Sequence, residues 1–488
     1  MSLVTPYKKV QRLVRRILAP DLSVRLGVEN PDFLGMLADR RCDGQSDMKE
    51  KGRGDVSHGS RVRSQFSGSS VLITGCSGFL GKALLEKILR CCPEVETVYV
   101  LLRSNTKNGS AAQRRLQEEI FPSSCFNQLR RVRPESLSKC RAVQGDVCLP
   151  RFGMSEEDFM LVKEHVNYVF HCAATINFNE HLKTAFKINV DSMIHLVDIC
   201  KSIKKLEALI HVSTAYVNAP VRANHVIPEE FRSVPADYWQ LKSRVDKMSR
   251  EEVSAMTEEI LESSGHWPNS YCLTKCIGEL VLRDLGESLP YLIVRPTIVT
   301  CAYKEPEPGW IDTLVGPTGL VLAVAGRSSL KIVNIGSSGR NPIPWKFMLE
   351  AMPGYYHRHP TDKSRGPIFF RSSTVYRLLD LLLHQLPAVA HDVVSRLKGG
   401  KADAARTMKK IKDALGVLKY FTMNEWFFES ENMYTVLKAM SWEDMYFFDF
   451  DVRSIIWDVY FTIWSHGMKV FLLKEGPVYY DTSKRSRL

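Results

Sequence analysis

The sequence contains no run of about 18 consecutive apolar residues of the kind that crosses a bilayer, and its first residues lack the short apolar core of a secretory signal. A core that folds in water is therefore expected. Twelve cysteines are scattered from Cys42 to Cys301, but they form neither C-x-x-C pairs nor an ordered Cys/His ligand spacing, and none follows Cys301. No zinc or other metal site is expected, and the thiols read as free groups in a reducing compartment. Acidic residues are in deficit: 54 Asp and Glu face 66 Lys and Arg, a formal net charge of +12. That excess suits acidic partners such as a phosphate-rich ligand or an anionic membrane surface. Nucleic acid is not expected as a partner, because no recognised nucleic-acid motif accompanies the charge.

What is present divides the chain. Its 488 residues exceed a single core, which rarely grows past roughly 250 to 300 residues, so a second unit is expected beyond the middle. Between Lys8 and Leu18, apolar Val10, Leu13, Val14, Ile17 and Leu18 follow helical spacing opposite Lys8, Lys9, Arg12, Arg15 and Arg16. Such a basic amphipathic helix is suited to lie on a membrane, to serve in a transit peptide, or to dock on the protein itself. From Cys42 to Ser70 the chain is rich in Gly, Ser, Asp, Lys and Arg and reads as a linker.

From Ser70 onward strand and helix patterns alternate. A strand at Val71–Ile73 leads to a helix over Phe79–Cys91 and a strand over Thr97–Leu102. Further strands are predicted at Tyr168–His171, Leu206–Ser213 and Tyr291–Arg295, with helices near His181–Ser202 and Tyr271–Leu285. The alternation predicts an α/β, Rossmann-type, doubly wound parallel sheet. After Tyr376 the pattern turns helical and aromatic. The expected organisation is an extension over 1–69, a dinucleotide-binding domain over 70–354, a mainly helical domain over 355–475 and a tail over 476–488.

Where the first strand meets the first helix stands Thr74-Gly75-Cys76-Ser77-Gly78-Phe79-Leu80-Gly81. Glycines there let the backbone approach a pyrophosphate at the helix N-terminus, so Thr74, Gly75, Ser77, Gly78, Phe79, Leu80 and Gly81 are candidate cofactor contacts. An acid at the end of the second strand would select NAD; here the strand ends in Arg103, which suits the 2′-phosphate of NADPH, with Lys82 and Arg90 as other phosphate partners. Asp146 and Val147 follow the third strand, placed for the adenine. Tyr271 and Lys275 share one helix face at i, i+4. An ammonium beside a phenol lowers its pKa from about 10, which suits Tyr271 to proton donation. Ser213-Thr214 ends an earlier strand, where a hydroxyl steadies a developing oxyanion; Thr214 fits better than Ser213, and both stay open.

The glycine loop, His211-Val212-Ser213-Thr214-Ala215-Tyr216-Val217-Asn218 and Trp267-Pro268-Asn269-Ser270-Tyr271-Cys272-Leu273-Thr274-Lys275 together resemble the fatty acyl-CoA reductases, which are extended short-chain dehydrogenases. The likeness continues through Val294-Arg295-Pro296-Thr297-Ile298-Val299. It extends to Tyr420-Phe421-Thr422-Met423-Asn424-Glu425-Trp426 and to Phe448-Asp449-Phe450-Asp451-Val452-Arg453-Ser454-Ile455-Ile456-Trp457, in a C-terminal domain that generic Rossmann enzymes lack. The resemblance implies that Arg295 and Pro296 line the nicotinamide pocket and that His171-Cys172-Ala173-Ala174 walls the cofactor, with Ala173 in contact. It further implies that a long-chain acyl-CoA receives hydride from NADPH, CoA leaves, and the aldehyde is reduced again to a fatty alcohol. In that reading Tyr271 donates protons, Thr214 holds the oxyanion and Lys275 binds the nicotinamide ribose.

One departure stands out. After Lys331 the chain passes directly to Ile332-Val333-Asn334-Ile335-Gly336, where the family places several dozen residues, including an Ile-Pro-Val-Asp strand that helps complete the substrate side. That gap, with the basic N-terminal helix, keeps an inactive NADP-binding form in play. A second rival, another extended dehydrogenase acting on a nucleotide sugar or steroid, shares the glycine loop and the Tyr271/Lys275 pair, but the C-terminal motifs argue against it. The last residues, Ser486-Arg487-Leu488, are a variant of the Ser-Lys-Leu peroxisomal address. They imply an import receptor as partner and a peroxisomal location, where fatty alcohols feed ether-lipid synthesis.

Overall fold

The computed structural model describes residues 59–104, 111–220, 225–234, 237–312, 331–343, 345–358, 373–397 and 403–475. The expected Lys8–Leu18 helix, the first part of the linker and the Ser486-Arg487-Leu488 tail lie outside these residues.

The fold begins earlier than Ser70. Arg61–Phe66 forms a helix, α1, capped by Ser60, and its Val62 and Phe66, four residues apart, are both fully buried. The Asp444 carboxylate accepts hydrogen bonds from the Ser60 hydroxyl at 2.5 Å and from the Val62 amide at 3.0 Å. The linker reading fails here because one apolar pair at helical spacing and one distant carboxylate suffice to order a polar stretch.

Seven strands make the main sheet: β1 (Ser70–Thr74), β2 (Thr97–Leu102), β3 (Cys140–Gln144), β4 (Val166–His171), β5 (Ala208–Val212), then β7 (Tyr291–Pro296) and β8 (Ile332–Ile335), with a short β6 (Val226–Ile227) outside it. Their order is β3-β2-β1-β4-β5-β7-β8, and every pairing is parallel. Strands β1, β5 and β7 are buried at every position, as a sheet covered by helices on both faces requires. The winding direction reverses between β1 and β4, and the crevice at their carboxyl ends is where open α/β sheets take ligands.

Helix α2 (Phe79–Cys91) follows β1 directly, and the expected helix over His181–Ser202 is broken by a wide turn at Lys187–Asp191 before α3 (Ser192–Ser202). Inside that turn Asn189 is buried: its side-chain N–H donates to Thr274 Oγ1 at 3.0 Å, and its Oδ1 accepts from the Thr175 amide at 3.2 Å. Thr274 lies on α4 (Ser270–Leu285), which is buried from Cys272 through Leu282 and capped by Asn269, whose Oδ1 accepts from the Cys272 amide.

The short segment after Lys331 was not expected as a strand. Ile332–Ile335 nevertheless pairs with β7 in the seventh position. Its interior Asn334 is fully buried because the side chain donates to the Glu429 carbonyl at 2.8 Å, while its own amide donates to Glu229 at 2.7 Å. The C-terminal part is mainly helical and includes α5 (Ser373–Asp380), α6 (Leu386–Leu397) and α7 (Ala404–Thr422). It also returns to the Rossmann half, because β9 (Phe427–Phe428) pairs in parallel with β6.

A second junction is made by the segment around Trp310. Trp310 is fully buried and stacks on Phe79 of α2 with ring centroids 4.4 Å apart, and Asp312 pairs with Lys82. Gly309 presses against Gly467 of a C-terminal helix: a Cβ on Gly467 would lie 2.6 Å from the Gly309 carbonyl carbon.

Candidate functional site

The glycine loop is built for close approach. Gly75 has φ +76°, and a Cβ there would sit 2.7 Å from the Ala173 amide nitrogen. The turn after β4 can therefore abut β1 only because position 75 has no side chain. Gly78 is the N-cap of α2 and provides no side-chain cap, so the first amides of the helix are free of protein side-chain partners there. Ser77 and Gly78 are exposed, and Gly75, Leu80, Asp146, Val147 and Ala173 are half-buried. Arg103 is exposed just past β2. Burial, and then Asp146, push the Cys148 thiol up to about 12 against the weaker pull of Lys187 and Arg103. Uncapped amides, a side-chain-free loop and a cationic end fit a phosphorylated dinucleotide.

Two other expected contacts are committed elsewhere. Thr74 is fully buried; its hydroxyl shares a 2.9 Å hydrogen bond with His171 Nδ1 and accepts from the Ala173 amide at 3.3 Å. It ties the end of β1 to the end of β4. Phe79 is buried beneath Trp310. Lys82 is paired with Asp312, and Arg90 is buried in a pair with Glu86 that Glu305 extends, so neither cation is free for phosphate.

The expected catalytic residues do come together. Thr214 follows β5, caps a short helical turn by accepting from the Tyr216 amide at 3.3 Å, and lies near enough to the Tyr271 phenol to favour its charged form. This favours Thr214 over Ser213, whose buried Oγ has no protein partner. One expectation is corrected: the Tyr271 phenol is not lowered by Lys275. Burial pushes it above its ordinary value of 10, with Thr214 as the opposing effect. Such a phenol stays protonated, which is the form a proton donor needs. The Lys275 ammonium, 2 % exposed, donates to the Val212 carbonyl at 2.8 Å and lies 3.3 Å from His211 Nε2. Burial brings it down to about 8, against the pull of Glu279 and Cys172.

The sequence reading placed His171 in the turn that walls the cofactor and assigned no separate role to His211. His171 ends β4, His211 is the last residue but one of β5, and the two are buried and stack at 5.4 Å. Burial first, and the charge of Lys275 second, holds His171 down at about 3 and His211 well below its usual range, so both are neutral at working pH. Two neutral rings thus bridge Thr74 at the end of β1 to Lys275, four residues past Tyr271. A histidine at or next to the last position of each of two apolar strands was the available signal.

Arg295 also departs from expectation. It is fully buried, its guanidinium gripping Glu279 of α4 through two hydrogen bonds and donating to the Glu230 carbonyl at 2.9 Å. The guanidinium is thus committed to a buried ion pair, and Pro296 beside it is buried as well.

The C-terminal part reaches this site through aromatic rings. Phe178 meets Tyr271 edge-on at 5.3 Å and stacks on Phe421 at 5.2 Å. Tyr216, two residues past Thr214, packs against Phe421, Trp426 and Phe428, and Tyr420 donates to the Ala219 carbonyl at 2.6 Å. Residues 420–428 therefore back Tyr216 and Phe178, and Phe178 in turn meets Tyr271.

A parallel sheet whose winding reverses at a glycine loop, with Thr214 at the end of β5 and Tyr271 and Lys275 on helix α4, defines a nicotinamide-dependent oxidoreductase of the short-chain dehydrogenase type. Sequence comparison carries this further. The NAD-binding model described as male sterility protein matches residues 73–352, and a second model of the same description matches 383–475. Fatty acyl-CoA reductase 1 of Xenopus laevis is 33% identical over 451 residues, 84% of this chain and 86% of that protein. The human protein of that name is 32% identical over the same shares, and fatty acyl-CoA reductase 2 of Bos taurus is 30% identical over 457 residues, 85% and 87%. Two structures of the reductase domain of a nonribosomal peptide synthetase from Mycobacterium tuberculosis share the fold. They have TM-scores of 0.51 at 16% and 18% identity, covering 85% and 83% of this chain and 95% and 92% of theirs. The chain belongs to the fatty acyl-CoA reductase family.

Proposed function

We propose that this reductase converts long-chain fatty acyl-CoA to the fatty alcohol through the aldehyde, with NADPH as the reductant. The observation that carries the reading is the convergence of Thr214 and Tyr271, with buried Lys275 one turn further along the tyrosine's helix and Phe178, stacked on Phe421 of the C-terminal part, meeting the tyrosine ring edge-on. Residues 75–81 would hold the pyrophosphate, with Arg103 and Lys187 beside the 2′-phosphate and Asp146 toward the adenine. Bound NADPH supplies hydride for both reductions.

The protein's own residues do the rest. Thr214 holds the carbonyl oxygen beside the Tyr271 hydroxyl, so that charge developing on the oxygen meets two aligned donors. Tyr271 keeps its proton until that charge appears and then gives it up, which is general acid catalysis. Lys275 holds positive charge beneath the ribose side of the pocket, fixed there by the Val212 carbonyl. The apolar rings of Phe178 and Phe421 exclude water from the reacting face.

Incubation with palmitoyl-CoA and either NADPH or NADH, followed by product analysis, tests the reading: hexadecanol and free CoA are expected, with NADPH preferred. Absence of any reduction would mean the inactive form, and an Arg103→Asp variant with an unchanged NADPH to NADH ratio would remove Arg103 from the phosphate site. We further infer peroxisomal import through Ser486-Arg487-Leu488, where the alcohol is positioned to enter ether lipids. Imaging of an N-terminally tagged protein with and without those three residues decides this; unaltered targeting of the truncated form would overturn it.

A further inference from the structure

Lys275 is a buried ammonium held without a carboxylate. A charge taken out of water is ordinarily paired with an opposite one, but the acid one turn further along α4, Glu279, is taken by Arg295 through two hydrogen bonds. Among the described residues the hydrogen-bond partners of Lys275 are both neutral: the Val212 carbonyl at 2.8 Å and His211 Nε2 at 3.3 Å. An ammonium has three protons to donate, so two are directed at β5 and one remains for the proposed ribose contact.

The contact also assigns the tautomer of His211. A nitrogen facing an ammonium must accept, so the ring proton is on Nδ1. That Nδ1 is buried with no protein partner, an uncompensated polar group that an apolar side chain of similar size would not leave in the strand. Stability of β5 therefore does not account for the ring, whereas the hold on Lys275 does. Its plane is fixed by His171, which stacks on it at 5.4 Å and is itself tied through Nδ1 to Thr74 at 2.9 Å, with Phe152 stacked on His171 at 6.2 Å.

The groups around Lys275 are Tyr271 and Glu279 from its own helix, His211 from β5, and His171 and Cys172 from the end of β4 and the turn after it. Burial, with the Lys275 charge added, keeps both histidines neutral, and burial keeps the Cys172 thiol up at about 12. Lys275 itself, brought down to about 8 by burial, is the member of this group that changes charge just above neutral pH.

We propose that His211 is a positioning residue for Lys275: its Nε2 holds the ammonium in place, so that the lysine keeps its charge and its aim beside Tyr271 where no free carboxylate does that work. The inference rests on the proposed role of Lys275 toward the ribose of NADPH. A hydrogen bond from a charged donor is roughly twice as strong as one from a neutral donor, so removing the acceptor favours the uncharged amine.

NADPH affinity of the full-length protein, read by fluorescence titration between pH 7 and 9, tests this; the cofactor's 2′-phosphate titrates near about 6, below the window. The pH at which affinity falls is expected to move down by about one unit in His211→Leu. It should stay at the wild-type value in His211→Gln, whose amide oxygen can take the place of Nε2. Cofactor-free protein gives a second readout. Both variants lack the imidazole, so any pH dependence in the difference between their melting temperatures reports Lys275. With the folded lysine pushed further below its ordinary 10.5, the Leu variant binds fewer protons than the Gln variant between about pH 7 and 8 and should gain on it as pH rises. An equal loss of affinity at every pH in both variants, or a constant difference in melting temperature, overturns the proposal and leaves His211 as packing. If the wild type binds no NADPH at any pH, the cofactor reading fails, while the melting comparison still decides the role of His211. Should His211→Leu not fold, His211→Asn, whose amide is too short for the ammonium, takes its place.

Discussion

The sheet and the helical rod that α5 and α6 form with the turn between them treat apolar residues in opposite ways. In β1, β5 and β7 every position is buried, whereas the rod leaves a row of leucines and valines in solvent. Helices on both faces of the sheet complete it from within the chain, so its side chains are held by neighbours and its strand ends can present groups at fixed separations. The rod is completed on one face only, by its contact with α7. Rigid placement of the site and an exposed apolar face thus fall to different parts of the protein.

The sharpest test of that division is Tyr271→Phe. It removes one hydroxyl from the sheet-held site and should lower kcat by roughly 10² to 10⁴-fold, with NADPH binding, measured by fluorescence titration, retained. Turnover at the wild-type rate would move the proton donor elsewhere. Next comes Arg295→Met. Breaking a buried ion pair from one side typically costs about 3 to 5 kcal/mol, so denaturant unfolding should show a large loss; a small loss would mean that Glu279 finds another partner.

A third test is the pH dependence of Lys275. Its folded value of about 8 lies below the ordinary 10.5. Between those two values the unfolded chain binds a proton that the folded chain has released, so the contribution of Lys275 to stability rises with pH through that window. In cofactor-free protein, the wild-type melting temperature should therefore gain on that of Lys275→Met between about pH 8 and 10.5; a constant difference would refute the depressed lysine. The smallest effect is expected on the rod, where Leu378→Gln should change stability by no more than about 0.5 kcal/mol. A loss of several kcal/mol would show that this row is buried in solution and would abolish the contrast.

The sequence made the sheet half legible wherever an apolar run was long enough to carry its own period. The helix over Phe79–Cys91 and the strand over Thr97–Leu102 stand where the pattern places them. Strand β8 escaped because four residues interrupted by Asn334 carry too little pattern, and what buries that asparagine is a carbonyl about a hundred residues away. Helix α1 escaped for the related reason that its order depends on Asp444. In the site, Thr214, Tyr271 and Lys275 could be found by spacing and strand position. The inward turn of Arg295 could not, since alternation along a strand says that neighbours face opposite ways but not which face meets Glu279. The lowered phenol failed on the same ground: burial, invisible in the chain order, outweighs a nearby charge.

The crossing of Gly309 and Gly467 bears on how the two parts of the protein can evolve. The gap there is smaller than a methyl group, and the residue after Gly309 is Trp310, whose ring lies on Phe79 beside the start of the cofactor-binding helix. A single added carbon at position 467 would act as a shim, tilting a C-terminal helix and, through one indole, the amides proposed to receive pyrophosphate. At this crossing the thickness of the C-terminal part limits how closely it can approach the segment that carries Trp310, so the two parts must change together there.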